Sequence, residues 1–168
     1  MSQPFTPRPY QQRILQHVIE NRRCNVWADM GLGKTVSVLN LIDALDLSGS
    51  TFLPALVLAP KRVAQSVWPR EVEKWDHLRH LEVVPIIGTP AQRDAALARK
   101  APIYAINYDN LQWLVDRLGN DWPFPTVICD ESTRTKSFRL RGGGKRARAL
   151  SKVVKRTGRW VNLTGTPA

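Results

Sequence analysis

A glycine-rich stretch, Ala28-Asp29-Met30-Gly31-Leu32-Gly33-Lys34-Thr35, joins a short apolar run at 25–28 to a helical pattern at 34–45. A strand that turns through glycines into a helix gathers backbone N–H groups and the positive end of a helix dipole around one point. Phosphate oxygens bind at such a point, where Lys34 would add a positive charge and the Thr35 hydroxyl a ligand for Mg²⁺. This stretch therefore predicts a binding site for the phosphates of a nucleotide.

The rest of the chain alternates short apolar runs with helical patterns. The runs are rich in β-branched residues and lie at 25–28, 55–59, 83–87, 103–106, 126–129 and 160–163. The helical patterns lie at about 10–21, 34–45, 63–75, 91–98, 111–118 and 146–155. This alternation is typical of βαβ units. We expect an α/β fold, a mostly parallel sheet with helices on both faces, and a length of 168 residues favours a single domain over 1–168.

Two adjacent acids end one of the predicted buried strands, in the sequence Val127-Ile128-Cys129-Asp130-Glu131. Ligands of parallel α/β sheets bind at the carboxyl ends of the strands. Asp130 could hold a metal ion there, and Glu131 could orient and deprotonate an attacking water. Paired acids at a strand end are often solvated loop residues, but the phosphate-binding stretch favours the catalytic interpretation.

The net charge of +11 is concentrated in one segment. Residues 1–133 contain 14 basic and 14 acidic residues, whereas 134–159 contain 11 basic residues and no acidic one. A solvated basic face would explain scattered cations. A dense run of one sign favours contact with a polyanion, and nucleic acid is the expected partner. The first candidates for that contact are Arg134, Lys136, Arg139 and Arg141.

Further motifs follow in order along the chain. They are Arg8-Pro9-Tyr10-Gln11, Leu58-Ala59-Pro60-Lys61 with Trp68, Glu71 and Trp75 after it, Ile106-Asn107-Tyr108, Asp130-Glu131-Ser132-Thr133 and Thr164-Gly165-Thr166. Together with 28–35, they resemble the first RecA-like lobe of superfamily 2 helicases and translocases (DEAD/DEAH-box-like), most closely the Swi/Snf-like branch. The stretch 28–35 corresponds to motif I (Walker A) of that family, and Asp130-Glu131 to motif II (Walker B).

The resemblance implies a RecA-like P-loop fold that uses ATP and Mg²⁺. It assigns adenine recognition to Gln11, phosphate and metal binding to Lys34 and Thr35, metal binding to Asp130 and water activation to Glu131. Thr164 and Thr166 would couple the nucleotide state to the nucleic acid. Contacts with one nucleic-acid strand would come from Lys61, Arg62, Asn107 and Tyr108.

Two features depart from the family pattern. Motif II continues with Ser132 and Thr133, where relatives usually have Ala or Gly followed by His or Asp. The second RecA-like lobe, which carries the arginine fingers in that family, is expected to be absent from 1–168.

The sequence thus favours the ATP-binding lobe of a DNA-dependent ATPase that translocates on duplex DNA. Two alternatives stay open: a small P-loop phosphotransferase, and a non-catalytic nucleic-acid-binding module that retains the nucleotide pocket. Magnesium-dependent ATP turnover with and without duplex DNA distinguishes the three. No apolar run approaches the roughly 18–20 residues of a membrane helix, so we expect a cytoplasmic, DNA-associated protein with no membrane partner.

Overall fold

The sheet has six strands, all parallel, in a computed structural model that describes residues 1–28, 33–130 and 145–165, with side chains from 148 onward in the last range. The strands are β1 (Arg23–Trp27), β2 (Ala55–Ala59), β3 (Val83–Ile86), β4 (Ile103–Asn107), β5 (Thr126–Asp130) and β6 (Arg159–Thr164). Their order across the sheet is β1-β6-β5-β2-β4-β3. The expected parallel α/β fold is confirmed.

Six α-helices lie among the described residues: the first precedes the first strand, and the other five connect successive strands. They are α1 (Pro9–Glu20), α2 (Lys34–Leu47), α3 (Trp68–Lys74), α4 (Pro90–Ala98), α5 (Leu111–Leu118) and α6 (Lys145–Arg156). None of the helices in this part of the chain has both the length and the apolar composition needed to cross a bilayer.

Both faces of the sheet are buried, which explains why its strands read as continuous apolar runs. In β2, the side chains of Ala55, Val57 and Ala59 belong to a core shared with α1, α2 and α3. Leu56 and Leu58 point to the opposite core, which α4, α5 and α6 cover. Side chains alternate between the faces of a strand, so a central strand buried on both sides needs apolar residues at every position.

The prediction of a helix at 63–75 is wrong in one respect: this segment is not one regular α-helix. A π-helix (Val63–Val67) precedes α3, and a 3₁₀ turn (Asp76–Leu78) follows Trp75. The wider π turn re-aims the side chains that follow it, and π segments are frequent at functional sites. The other predicted elements agree with the observed ones to within two residues at each end.

Because all the strands run in the same direction, their carboxyl ends lie along one edge of the sheet. Trp27 at the end of β1 pairs with Thr164, Asp130 at the end of β5 pairs with Leu163, and Ala59 pairs with Asn107. The segments that follow these strands therefore line one continuous edge, here called the carboxyl edge.

Candidate nucleotide and nucleic-acid site

Helix α2 begins at the carboxyl edge with three of the predicted phosphate-binding residues. Gly33 has a left-handed conformation (φ 73°, ψ 38°), and its carbonyl accepts hydrogen bonds from the backbone N–H (3.2 Å) and hydroxyl (2.9 Å) of Ser37. Lys34 and Thr35 form the first turn and are half-buried. No described carboxylate forms an ion pair with Lys34. A helix N-terminus with an adjacent lysine is an electropositive site suited to phosphate.

A pocket of about 410 Å³ lies beside the start of α2. Its lining includes Phe5, Tyr10, Gln11, Gly33 and Trp75. The Gln11 side chain is buried, with only 8% exposed, and its carbonyl oxygen accepts a hydrogen bond from the Arg8 backbone N–H at 2.9 Å. The structure therefore brings the predicted adenine-recognition residue and the predicted phosphate-binding turn to one pocket.

Asp130 and Thr164 lie on neighbouring strands at the centre of the same edge. β6 separates β1 from β5, so the two strands that lead to Lys34 and Asp130 are about 10 Å apart, or two interstrand spacings. The Thr164 carbonyl accepts a hydrogen bond from the Ala28 N–H at 3.2 Å. Thr164 thus touches the segment that enters the predicted phosphate-binding loop and lies one strand away from Asp130.

Asp130 is also tied to the segments that follow β2 and β4. The indole Nε1 of Trp68 donates a hydrogen bond to Oδ2 of Asp130 at 2.9 Å, and the Tyr108 hydroxyl donates one to its carbonyl oxygen at 2.7 Å. Sequence analysis placed Trp68 in a motif, but it did not predict the contact with Asp130. The available signal was the single indole donor, which requires an acceptor when it is buried.

The four predicted nucleic-acid contacts near β2 and β4 fall into two groups. Lys61 and Arg62 are exposed at the carboxyl edge, directly after β2. Asn107 and Tyr108 are each only 7% exposed, and the Asn107 Oδ1 accepts a hydrogen bond from Asn110 at 2.7 Å. This placement makes Lys61 and Arg62 the accessible candidates, and it favours a supporting role for Asn107 and Tyr108.

The family model of the SNF2-related domain matches residues 10–168 of this chain. The chain belongs to the SNF2-related domain family. This confirms the resemblance to the Swi/Snf-like branch of superfamily 2.

Proteins similar to this chain include phage and animal proteins. The chain is 60% identical over 166 residues to protein p41 of Acyrthosiphon pisum secondary endosymbiont phage 1, covering 98% of this chain and 36% of p41. It is 30% identical over 168 residues to the human DNA annealing helicase and endonuclease ZRANB3, covering 95% of this chain and 14% of ZRANB3. The SNF2-related domain described here thus spans well under half of each of these relatives.

Solved structures confirm the fold of the SNF2-related domain. The Sulfolobus solfataricus SWI2/SNF2 ATPase core in complex with dsDNA superposes with a TM-score of 0.77 at 22% identity, covering 97% of this chain and 32% of that chain. The UvsW helicase from bacteriophage T4 superposes with a TM-score of 0.70 at 15% identity, covering 99% and 56%. The RecA-like sheet predicted for the SNF2-related domain is therefore the observed one.

Several predicted site residues of the SNF2-related domain lie outside the described residues. They are Asp29, Met30, Gly31, Leu32, Glu131, Arg134, Lys136, Arg139, Arg141 and Thr166. Their roles stay predictions from the sequence.

The basic segment 134–159 is not uniformly available for an external partner, because Arg159 at its end is buried. Arg159 is only 6% exposed, and its guanidinium donates a hydrogen bond to the Val18 carbonyl at 2.5 Å and lies over the Phe52 ring. Burial, followed by the neighbouring charge of Arg22, lowers the pKa of the Arg159 guanidinium. This cation joins β6 to α1 inside the fold.

Proposed function

We propose that this chain is the ATP-binding lobe of an ATPase that moves along duplex DNA and hydrolyses ATP to ADP and phosphate. The proposal rests on one observation: the first turn of α2, which begins at Lys34, lies at the carboxyl edge of the sheet together with Asp130 and Thr164. Lys61 and Arg62 are exposed farther along the same edge. Membership of the SNF2-related domain family supports it.

The nucleotide would occupy the pocket between α1 and α2. Phe5 and Trp75 line this pocket and would provide apolar surface for the base. The first turn of α2, with Lys34, would bind the phosphates. Gln11 packs directly against the start of α2, because a Cβ on Gly33 would collide with the amide of Gln11. Lys34 would neutralise charge that builds on the phosphate oxygens as the bond breaks.

The residues at the edge fit Mg²⁺, which prefers oxygen ligands and binds through one or two carboxylates together with substrate phosphates. Asp130 and the Thr35 hydroxyl are the candidate ligands. When bound, Mg²⁺ would neutralise charge on the β- and γ-phosphates.

Hydrolysis would begin when Glu131 accepts a proton from a water molecule aligned with the γ-phosphorus. The water oxygen would then bond to phosphorus as the bond to the bridging oxygen of ADP breaks, releasing ADP and phosphate. Thr164 contacts the segment that enters the phosphate-binding loop. This contact supports a role for Thr164 and Thr166 in coupling the state of the nucleotide to the nucleic acid. Lys61 and Arg62, with the cations of the basic segment, would contact the DNA backbone.

Calorimetric titration with Mg·ADP tests the nucleotide site. Lys34→Ala should weaken binding about a hundredfold, because charge-assisted hydrogen bonds to phosphate are lost. Lys100→Ala removes an exposed lysine outside the edge and should bind like the parent. Unchanged affinity in Lys34→Ala would refute the nucleotide site. Release of free phosphate, rather than transfer to an acceptor, distinguishes an ATPase from a phosphotransferase.

A further inference from the structure

Two segments from different parts of the chain hold Asp130 by two different atoms. Trp68 reaches its carboxylate oxygen Oδ2 at 2.9 Å, and Tyr108 reaches its carbonyl oxygen at 2.7 Å. Trp68 lies 62 residues before Asp130 in the chain, and Tyr108 lies 22 residues before it. The side chain and the main chain of this acid are therefore held independently.

The Trp68 contact is rigid because its ring belongs to the hydrophobic core. Trp68 is 0% exposed and begins α3 directly after the π-helix Val63–Val67. Its indole N–H is a donor only, so it must find an acceptor when buried, and a carboxylate oxygen is a strong one. The ring cannot turn away from Asp130 without disrupting the packing between α3 and the sheet.

The Tyr108 contact fixes the point at which β5 ends. Tyr108 is 7% exposed and begins the 3₁₀ turn Tyr108–Asn110, directly after β4. Its hydroxyl holds the Asp130 carbonyl, the last backbone acceptor of β5. This bond limits movement of the backbone that carries the acid.

We propose that Trp68 is a positioning residue that orients the Asp130 carboxylate toward the metal of a bound Mg·nucleotide, with Tyr108 fixing the main chain beneath it. The proposal rests on the proposed function and adds to it a role for two residues that need not touch nucleotide. With Oδ2 held by the indole, rotation of the carboxylate is restricted, so its lone pairs keep one direction. Hydrogen bonds to metal-ligating groups tune metal affinity in this way.

The segment of Trp68 also carries proposed DNA contacts. The π-helix that precedes Trp68 directly follows Lys61 and Arg62. A shift of this segment would therefore reach Asp130 through one hydrogen bond.

Magnesium titration of ADP binding, followed with a fluorescent ADP analogue, tests the proposal in the intact chain. Trp68→Phe keeps an aromatic ring and removes the N–H donor. We expect its apparent dissociation constant for Mg²⁺ to rise about tenfold, in the range found for lost partners of metal ligands. ADP binding in EDTA should keep its parent affinity, because no phosphate contact is removed. Tyr108→Phe should raise the apparent dissociation constant for Mg²⁺ about fivefold, because one hydrogen bond is lost.

The matched control is Trp122→Phe. Its indole Nε1 also donates a hydrogen bond of 2.9 Å, to the Phe124 carbonyl away from the carboxyl edge. We expect Trp122→Phe to keep the parent magnesium constant. Electron paramagnetic resonance of bound Mn²⁺ gives a second readout, and its spectrum should change in Trp68→Phe but not in Trp122→Phe.

The proposal would be overturned if folded Trp68→Phe had the same apparent dissociation constant for Mg²⁺ as the parent chain. If Trp68→Phe does not fold, Tyr108→Phe decides, and an unchanged constant in that variant would overturn it equally. Failure of the parent chain to bind nucleotide would overturn the proposed function together with this one. Nucleotide binding with no effect of either variant would overturn only the positioning role.

Discussion

Gly33 shows at the scale of one residue why the predicted phosphate-binding turn requires glycine where α2 begins. Its φ of 73° is left-handed, and a Cβ there would collide with the Gln11 amide and lie 3.3 Å from Cγ1 of Val36. Gly49 has a similar φ of 63°, but an added Cβ there meets nothing within 4 Å. The two positions share the backbone conformation and differ in the space available.

We expect Gly49→Ala to lower the free energy of unfolding by about 1–2 kcal/mol, the cost of a left-handed conformation for a residue with a Cβ. Gly33→Ala should lower it further, because the Cβ also displaces Gln11 from the pocket. Urea unfolding followed by circular dichroism compares the two variants directly. Equal losses would show that the contact with Gln11 adds nothing to the requirement for glycine.

Helix α6 shows at the scale of an element how the basic segment divides into buried and exposed positions. Ala149, Leu150 and Val153 are buried against the core that α5 also covers. The exposed side carries a basic ridge, defined as Arg148, Lys152 and Lys155. The ridge spans about 10 Å along the helix, at 1.5 Å per residue. This spacing could follow the phosphates of one DNA strand.

Replacing the three ridge residues with Ser should weaken sequence-independent binding of duplex DNA and flatten its dependence on salt. Each lost phosphate contact reduces the slope of log K against log salt by about 0.9. Filter-binding titrations between 50 and 200 mM salt measure this slope.

The control for the ridge is a variant with the same loss of charge elsewhere, Arg13, Arg70 and Lys100 to Ser, three residues that are also exposed. It should keep the parent slope. Identical slopes in the ridge variant and this control would place the DNA path away from α6, and Lys61 and Arg62 would become the better candidates.

At the scale of the whole molecule, one lobe provides only part of the groups expected for fast hydrolysis. The family resemblance assigns arginine fingers to a second lobe, and such groups contribute about 10³- to 10⁵-fold in rate in related phosphoryl-transfer systems. We therefore expect residues 1–168 alone to hydrolyse ATP very slowly, with little stimulation by duplex DNA. Glu131→Gln should remove the remaining activity, because the amide cannot accept the proton of the attacking water.

A steady-state phosphate-release assay measures this activity, and Glu82→Gln serves as the control. Glu82 forms an exposed ion pair with Arg99, and its loss should leave the rate unchanged. Fast, DNA-stimulated turnover by the 168 residues would show that no second lobe is required.

The sequence alone determined the elements and predicted the type of site. Helices, strands and the glycine turn follow from apolar periodicity and from backbone preferences that act within a few residues. The parallel α/β fold and the order of the motifs could therefore be predicted from the sequence, with errors of at most two residues at the ends of the elements. The π-helix at Val63–Val67 was missed because its hydrogen-bond register depends on how the segment packs.

Only the tertiary structure decided which distant residues meet. The strand order β1-β6-β5-β2-β4-β3 places Thr164 between the segments of Lys34 and Asp130, and it brings Trp68 and Tyr108 to the same acid. It also decided that Asn107 and Arg159 are buried while Lys61 and Arg62 are exposed. Local sequence patterns carry no such information, because burial and long-range hydrogen bonds depend on helices crossing over the sheet and packing on both of its faces.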